Sequence, residues 1–239
     1  MLRTVKAGTL VVRSAYPDPP FDILQNGTAT GFDIELMRAV CKGLGLELRP
    51  VAFEGDNFND IFDGLTQGAC DAVISATTIT PERAALVRFS QPYLVFNQGI
   101  AVNRRCTPNI ASVADLRGLK AGIQSGNSCD IVARKFLERG QIASIHYYPY
   151  HGIMTAIDDL EAGRIGLIIK LFPVISWLVR DRPDWAVVMQ EPTHERLGIA
   201  YSPSRVDLCD AVDAAIEGLR ASGEFAQLQA NWPGTQASL

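Results

Sequence analysis

Three positions in the first half of the chain, Ala76, Thr78 and Arg83, have the chemistry to capture an anion. Residues 72–75, AVIS, are typical of a short buried strand, and hydroxyls follow it at Thr78 and Thr80. Thr80 is suited to cap a helical turn that carries Arg83. A guanidinium is a planar fork of donors that matches a carboxylate, and hydroxyls and backbone amides at a strand end can complete the cradle. We therefore predict that Arg83, Thr78 and the backbone amide at Ala76 bind an anion without any nucleophile.

The neighbouring residues decide how this pattern is interpreted. In isolation, a capping threonine and an arginine would indicate only a helix start beside a solvated surface charge. Here TITPER at 78–83 is followed by FSQPY at 89–93. Together they resemble the signature of the family 3 bacterial solute-binding proteins, the amino-acid-binding members of the type II periplasmic binding protein fold. The resemblance implies an α/β fold with two doubly wound lobes joined by a two-stranded hinge, and a ligand bound between the lobes.

The resemblance also implies a division of the chain. Residues 1–99 and 200–239 would form a discontinuous first lobe, and residues 100–199 would form the second. The hinge crossings are expected near 99–102 and 197–200.

The elements that position the anion-binding residues are visible in the residue pattern. Apolar residues at helical spacing predict a helix that opens at GFDIEL, 31–36, and ends near Leu44. We interpret Asp33 there as an N-terminal helix residue and not as a ligand contact. Predicted strands on either side of this helix, and a short helix over 59–68, give the order βαβαβ. This order is the beginning of a doubly wound sheet.

A proline-rich loop, AYPDPPF at 15–21, follows the first predicted strand. Loops after core strands are where such sheets meet ligands. This loop resembles the family's first binding loop, in which an acid and an aromatic residue precede Pro-Phe. In that alignment Ala15 replaces the acid and Asp18 replaces the aromatic residue. A shifted loop would instead make Tyr16 the aromatic wall, so Asp18 and Tyr16 are both candidate ligand contacts.

A second candidate anion site lies at 126–128. A predicted strand over 120–124 feeds Gly126, Asn127 and Ser128, and a helix follows from Cys129. Backbone amides at a helix N-terminus can accept an anion, although the same residues could simply cap the helix. The loop resembles the family's second carboxylate clamp, which implies that all three residues bind ligand.

The chain departs from the family at the end of the strand predicted over 165–169. Family members read D-A-x-x-x-D there, and the last Asp holds the ammonium group of an amino acid. This chain has Leu171 at that position and Lys170 beside it. An ammonium group without an anionic partner in a water-poor cleft is costly, so binding of a free α-amino acid in the usual way is disfavoured. Lys170 would favour a second acidic group, unless it points outward into solvent.

The composition limits the remaining classes of function. The chain has 239 residues, 47% hydrophobic and 20% charged, as expected for a globular protein. The net charge of −4 argues against a nucleic-acid partner. The most apolar run, 165–179, is interrupted by Lys170 and Pro173, which argues against a membrane span. The five cysteines form no metal-binding pattern, and we interpret them as small buried apolar residues.

These motifs occur along the chain in the same order as in the family. The resemblance therefore predicts a substrate-binding protein of an ABC importer for an amino acid or a related small carboxylate. We expect a monomer with an ABC permease as its partner and with no cofactor, metal or catalytic residue. Residues 1–4 lack the features of a secretory signal, so the signal has been removed or the protein stays inside the cell. With the signal removed, the protein would be periplasmic or lipid-anchored on the outer face of the cytoplasmic membrane.

Two other functions remain open for the same fold. The chain could be the ligand-sensing domain of a receptor. It could also be a cyclohexadienyl or prephenate-type dehydratase, for which Asp18, Lys170 or His194 would supply a general acid or base. A LysR-type regulator would need an N-terminal helix-turn-helix, which the sequence pattern does not indicate.

Overall fold

The computed structural model describes residues 2–236, which belong to two compact α/β units. The first unit contains the residues up to Glu54, Asp60–Val95 and the residues from Glu195 onwards. The second contains Gly55–Asn59 and Phe96–His194. The predicted crossings near 99–102 and 197–200 lie a few residues further along the chain.

The short segment Gly55–Asn59 belongs to the second unit because its backbone bonds there. The amide of Phe58 donates to the carbonyl of Ser125 at 3.0 Å, and the carbonyl of Asp56 accepts the amide of Tyr150 at 2.7 Å. The sequence-based division places this segment in the first lobe. Its position depends on these two non-local hydrogen bonds.

The regular elements alternate along the chain as an α/β fold requires. Those before the second unit are β1 (Thr9–Ala15), β2 (Ile23–Gln25), β3 (Thr28–Thr30), α1 (Phe32–Leu44), β4 (Glu47–Phe53), α2 (Asp63–Thr66), β5 (Ala72–Val73), α3 (Pro81–Ala84) and β6 (Arg88–Phe89). Those that follow are β7 (Leu94–Asn103), β8 (Lys120–Gln124), α4 (Cys129–Glu138), β9 (Ser144–Tyr148), α5 (Ile153–Glu161), β10 (Leu167–Leu171), α6 (Phe172–Val179) and β11 (Trp185–Leu197). The last are β12 (Ala200–Tyr201), α7 (Val206–Ser222) and α8 (Glu224–Asn231).

The sheet of the first unit has the strand order β4-β1-β5-β12-β6. Strand β1 pairs in parallel with β4 and β5, and β12 is antiparallel to both β5 and β6. The strand β1 is buried almost throughout, which explains its continuous apolar pattern. Because β1 and β5 are parallel neighbours, the loops that follow them leave the same edge of the sheet.

Helix α1 confirms the helix predicted to end at Leu44. Ile34, Met37 and Val40 are fully buried on one face at helical spacing. Gly45 ends the helix at φ 66°, in the left-handed region, where its missing Cβ avoids a steric penalty.

The sheet of the second unit has the order β11-β7-β10-β8-β9. Strand β8 is parallel to β9 and β10, and β7 is antiparallel to β10. Buried residues form one cluster with α4 and another with α5 and α6. The predicted α/β class with two doubly wound sheets is confirmed.

Several element boundaries differ from those predicted. The strand predicted over 165–169 is β10, which contains Lys170 and Leu171. The helix predicted over 59–68 is a 3-10 turn, Phe58–Phe62, followed by the short α2. The strand β11 is much longer than the predicted 186–189, because its alternation of exposed and covered residues continues to Leu197.

Two compositional expectations can be checked in the described residues. Four cysteines are buried as expected, but Cys106 is exposed and this part of the interpretation is wrong. Within residues 2–236, none of the five cysteines forms a disulfide. Between residues 2 and 236, no helix combines the length and apolarity needed to cross a bilayer.

Truncating a buried leucine of α5 tests the core of the second unit. Leu160 is fully buried in the cluster that contains Tyr148 and Trp185. We expect Leu160→Ala to lower the free energy of unfolding by about 2–5 kcal/mol, because it leaves a cavity. The control Leu137→Ala, at a side chain that is 40% exposed in α4, should cost less than about 1 kcal/mol. Urea denaturation measures both, and equal losses would contradict this packing.

Candidate functional site

The segment from Ser75 to Arg83, which we name the strand-end turn, begins two residues after β5 ends at Val73. The hydroxyl of Thr80 accepts the backbone amide of Arg83 at 3.3 Å and caps α3 as predicted. Arg83 is only 6% exposed, its Nη1 donates to the carbonyl of Thr78 at 2.9 Å, and its guanidinium lies 5.6 Å from the Phe62 ring centre. The alternative that Arg83 is a solvated surface charge is therefore wrong. Burial strengthens any charge pair that this guanidinium makes.

Thr78 is tied to the segment that re-enters the first unit. Its hydroxyl donates to Oε2 of the buried Glu195 at 2.5 Å, and the residue forms a β-bridge with Leu197. The amide of Ile79 donates to the carbonyl of Arg196 at 2.8 Å. Glu195 is not recognisable from the sequence, because no motif marks it and its partner is 117 residues away.

Ala76 has an unusual backbone conformation. Its φ is +42°, although it is not a glycine, and its amide donates to Oδ2 of Asp33 at 2.7 Å. The prediction assigned this amide to a ligand, but the structure directs it to a side chain. A ligand that bonds to the backbone of Ala76 would therefore have to use the carbonyl group of Ala76 and not its amide.

Asp33 has a larger role than that of an N-terminal helix residue. It lies in the first turn of α1 as predicted, yet it is fully buried. Besides the Ala76 amide, it accepts the hydroxyl of Tyr93 at 2.9 Å. A second fully buried acid, Asp22, accepts the hydroxyl of Ser75 at 2.9 Å. The two carboxyl groups thus hold two consecutive residues at the start of the strand-end turn.

Burial governs the protonation of these acids. It raises the pKa of Asp33 to about 7, and the charge of Asp18 adds to this, while the bonds from Ala76 and Tyr93 act in the opposite direction. Burial also raises the pKa of Asp22 well above its usual value, and the charge of Asp33 raises it further. Removing a carboxylate from water disfavours its ionised form.

The structure places the two candidates from the first loop in different surroundings. Asp18 is buried and bonds through its backbone to Asp22, with N–H to carbonyl distances of 2.9 and 3.0 Å. Tyr16 lines a groove of about 450 Å³ beside α1 and β4, whose lining does not include Arg83. The complete lining is Tyr16, Leu24, Gly27, Thr28, Ala29, Arg38, Pro50 and Ala52.

The second unit brings the 126–128 loop together with two glutamines. Ser128 begins α4, and its hydroxyl accepts Nε2 of Gln98 at 3.3 Å. The side-chain Nδ2 of Asn127 is buried and has no hydrogen-bond partner within residues 2–236. Gly126 has φ +78°, and a Cβ there would meet Asn57 Oδ1 at 2.1 Å. The loop is therefore closely packed and requires glycine at this position.

Lys170 is buried in β10 with only 3% of its surface exposed. Its Nζ donates to Oε1 of Gln124 at 2.6 Å and lies 5.8 Å from the Tyr150 ring centre. The amide group of Gln124 in turn donates to the carbonyl of Tyr150. The alternative that Lys170 points into solvent is wrong. Leu171, next to it, is also buried and lies opposite Gln98 in the strand register.

Each unit thus carries its own polar cluster. The first unit brings together Ala76, Thr78 and Arg83. In the second unit, Lys170 of β10 contacts Gln124 at the end of β8, the strand that precedes the 126–128 loop. Gln98 and Gln124 were missed, although a lone glutamine in an apolar strand is a usable signal. Within residues 2–236, no group of three or more His, Cys, Asp or Glu side chains is placed to hold a metal ion.

Two doubly wound units with these clusters define a type II periplasmic binding protein. The chain belongs to the bacterial extracellular solute-binding proteins of family 3, whose family model matches residues 10–235. The predicted family is therefore confirmed. The chain is 28% identical over 220 residues to ABC transporter arginine-binding protein 1 of Escherichia coli (strain K12), covering 90% of this chain and 86% of that protein.

Two solved structures show the same fold. An ancestral arginine-binding protein bound to arginine is 28% identical, with a TM-score of 0.85 over 95% of this chain and 98% of that chain. An ancestral amino acid-binding protein, a precursor of cyclohexadienyl dehydratase, is 30% identical, with a TM-score of 0.84 over 94% of this chain and 95% of that one.

Adding a methyl group at Gly126 tests the packing of the 126–128 loop. We expect Gly126→Ala to destabilise the protein by more than Gly140→Ala, measured as the free energy of unfolding. Both glycines have positive φ, so both variants incur a strain of about 1–2 kcal/mol. Only Gly126 has atoms within 4 Å of the added Cβ, whereas Gly140 has none. Equal losses would show that the close contact with Asn57 is unimportant.

The buried acids predict a pH dependence of stability. Because the pKa of Asp33 is raised to about 7 in the folded state, the folded protein binds this proton more tightly than the unfolded chain. Its contribution is therefore complete below the unfolded pKa and is lost as pH rises towards 7, by up to about 1.4 kcal/mol per pH unit. Asp33→Asn should reduce this fall, and Asp210→Asn, at an exposed acid, should not. Denaturant unfolding of the three proteins from pH 4 to pH 8 checks the sign, and an equal pH dependence in the unmodified protein and in Asp33→Asn would contradict it.

Proposed function

We propose that this protein is the extracytoplasmic substrate-binding component of an ABC importer for an amino acid or an amino-acid-derived small carboxylate. The observation that carries this proposal is the buried guanidinium of Arg83 beside Thr78 at the end of β5. A desolvated guanidinium is suited to bind a carboxylate, and this binding requires no chemical reaction. Membership of the extracellular solute-binding family supports the same conclusion.

In this proposal, binding occurs in two stages. The carboxylate first binds to Arg83 and Thr78 on the first unit. Hinge closure then brings residues 126–128 and Lys170 of the second unit into contact with the ligand. The ligand stabilises the closed population through contacts that exist only there. The long strands β7 and β11, in which the chain passes between the units, are the proposed hinge.

Leu171 narrows the class of ligand within this proposal. The relatives reported above are arginine-binding or amino acid-binding proteins. This chain has a buried leucine at the position where the family resemblance places an ammonium-binding Asp. A deaminated or N-acylated amino acid avoids placing an ammonium group there without a carboxylate. We therefore favour such a ligand over a free α-amino acid.

The proposal includes a partner and a location. An ABC permease would accept the ligand from the closed form of a monomeric binding protein. The protein would act in the periplasm or as a lipid-anchored protein on the outer face of the cytoplasmic membrane. The description of the family as extracellular supports this location.

One rival function has an observation in its favour. The similarity to a precursor of cyclohexadienyl dehydratase makes dehydration of a prephenate-type acid the second candidate. That precursor is itself described as an amino acid-binding protein, which favours binding over catalysis here as well. Incubation with prephenate distinguishes the two, because a dehydratase would release carbon dioxide and water and a binding protein would not.

Replacing Arg83 tests the proposed function directly. A thermal-shift screen of amino acids, their deaminated and N-acylated derivatives, opines and dicarboxylates should find a compound that raises the melting temperature, because ligands stabilise the form they bind. For that compound, Arg83→Gln should weaken binding by about 100-fold or more, since it removes a buried charged hydrogen-bond donor.

Arg88→Gln is the matched control, because Arg88 is an exposed arginine five positions away. It should bind the same compound with unchanged affinity. Unchanged affinity in a folded Arg83→Gln variant would sink the proposal. A screen in which only free α-amino acids bind would overturn the role given to Leu171 and leave the binding function intact.

A further inference from the structure

Two buried acids outside the predicted ligand contacts hold the start of the strand-end turn. Asp22 accepts the hydroxyl of Ser75 at 2.9 Å, and Asp33 accepts the amide of Ala76 at 2.7 Å. Ser75 and Ala76 are consecutive, and Thr78 follows two positions later. The conformation of the turn therefore depends on two carboxyl groups that no water reaches, since both residues are fully buried.

The pair is incompletely satisfied as two carboxylates. Oδ1 of Asp22 is buried and has no hydrogen-bond partner within residues 2–236. A buried ionised oxygen without a donor is costly, whereas a proton on the carboxyl group removes the charge. Protonation of the Asp22 carboxyl group therefore removes this cost.

The groups that face the pair are also acidic. Asp18 and Tyr16 come from the loop after β1, and Tyr93 from the segment before β7. Burial raises the pKa of Tyr93 well above its usual value, so its hydroxyl remains a donor to Asp33. The charge of Asp18 opposes a second negative charge on the pair.

We propose that Asp22 and Asp33 together keep one proton in the folded protein at neutral pH, and that its loss to solvent in alkaline solution opens the strand-end turn. With both groups ionised, two neighbouring negative charges would lie in a site with no exposed surface. The hydrogen bonds from Ser75 and Ala76 favour the ionised forms, but the cost of desolvation is larger. The pair therefore releases Ser75 and Ala76, so that water reaches the carboxylates. The left-handed conformation of Ala76 is then no longer held.

The proton also regulates ligand capture, a consequence that rests on the proposed function. A ligand carboxylate beside Thr78 and Arg83 needs the closed turn. The proton and the ligand both bind more tightly to the closed turn. Each therefore strengthens binding of the other. Affinity for a carboxylate should therefore fall as pH rises, by at most about tenfold per pH unit for one linked proton.

Hydrogen exchange at the Ala76 amide tests the proton without any ligand. In the full chain from pH 6 to pH 9, after correction for intrinsic exchange, we expect opening to become more favourable by up to about tenfold per pH unit until the pH passes the midpoint of the closed form, and to level off above it. Asp22→Asn should move this pH dependence to lower pH and reduce it over this range, because Asp33 then ionises without a second acid beside it. Asp210→Asn, an exposed acid, should preserve it. Protection of Ala76 that does not change with pH in the unmodified protein overturns the proposal.

Carboxyl carbon NMR of aspartate-labelled protein gives a second readout that needs no folded variant. One carboxyl group of the pair should be protonated at pH 6 and should titrate above the range of exposed aspartates. Two ionised groups at pH 6 would overturn the proposal.

Calorimetry with L-arginine and with glutarate at pH 6 and pH 8.5 tests the consequence for binding. Weaker binding of either probe at pH 8.5, with a smaller difference between the two pH values in Asp22→Asn, supports the linkage. Equal affinity at both pH values overturns the regulatory part. If neither probe binds at either pH, these two compounds are not ligands, and the exchange and NMR results still decide whether the proton controls the turn.

Discussion

The candidate site of the first unit depends on the hydrogen bond between the amide of Ala76 and the buried carboxyl group of Asp33. Ala76 has a positive φ without being a glycine, a conformation that persists only when its surroundings hold it. The bend that it makes ends β5 and sends the chain towards Thr78 and Arg83. Asp33 lies on α1, so the packing of that helix against the sheet fixes the geometry of the turn.

The two polar clusters are each organised by desolvation. In the first unit, burial makes the ionised state of Asp22 and Asp33 costly and strengthens the interactions of Arg83. In the second unit, Lys170 is buried in a strand and bonds to an uncharged amide, Gln124. Buried polar groups are restricted to the partners that the fold places beside them, so each cluster has one well-defined arrangement.

In the proposed function, the departures from the family pattern bear on specificity, and they leave the fold unchanged. The chain keeps the signature at 78–83, and its fold aligns with solved amino-acid-binding proteins over nearly its whole length. It differs in the first loop, where Asp18 stands among buried acids, and at Leu171. Sites on a shared fold can change ligand by exchanging a few contacts, because the scaffold does not depend on them.

The sequence by itself determined the α/β class, helix α1, the cap at Thr80 and the family, because these follow from local periodicity, capping chemistry and short motifs. Tertiary structure alone decided that Arg83 and Lys170 are buried, that the amide of Ala76 belongs to Asp33, and that Thr78 bonds to Glu195. These facts depend on residues far apart in the chain, 43 positions for Ala76 and Asp33 and 117 for Thr78 and Glu195. Local patterns specify which groups can donate or accept, but only the folded backbone brings distant partners within hydrogen-bond distance and removes the water that would otherwise replace them.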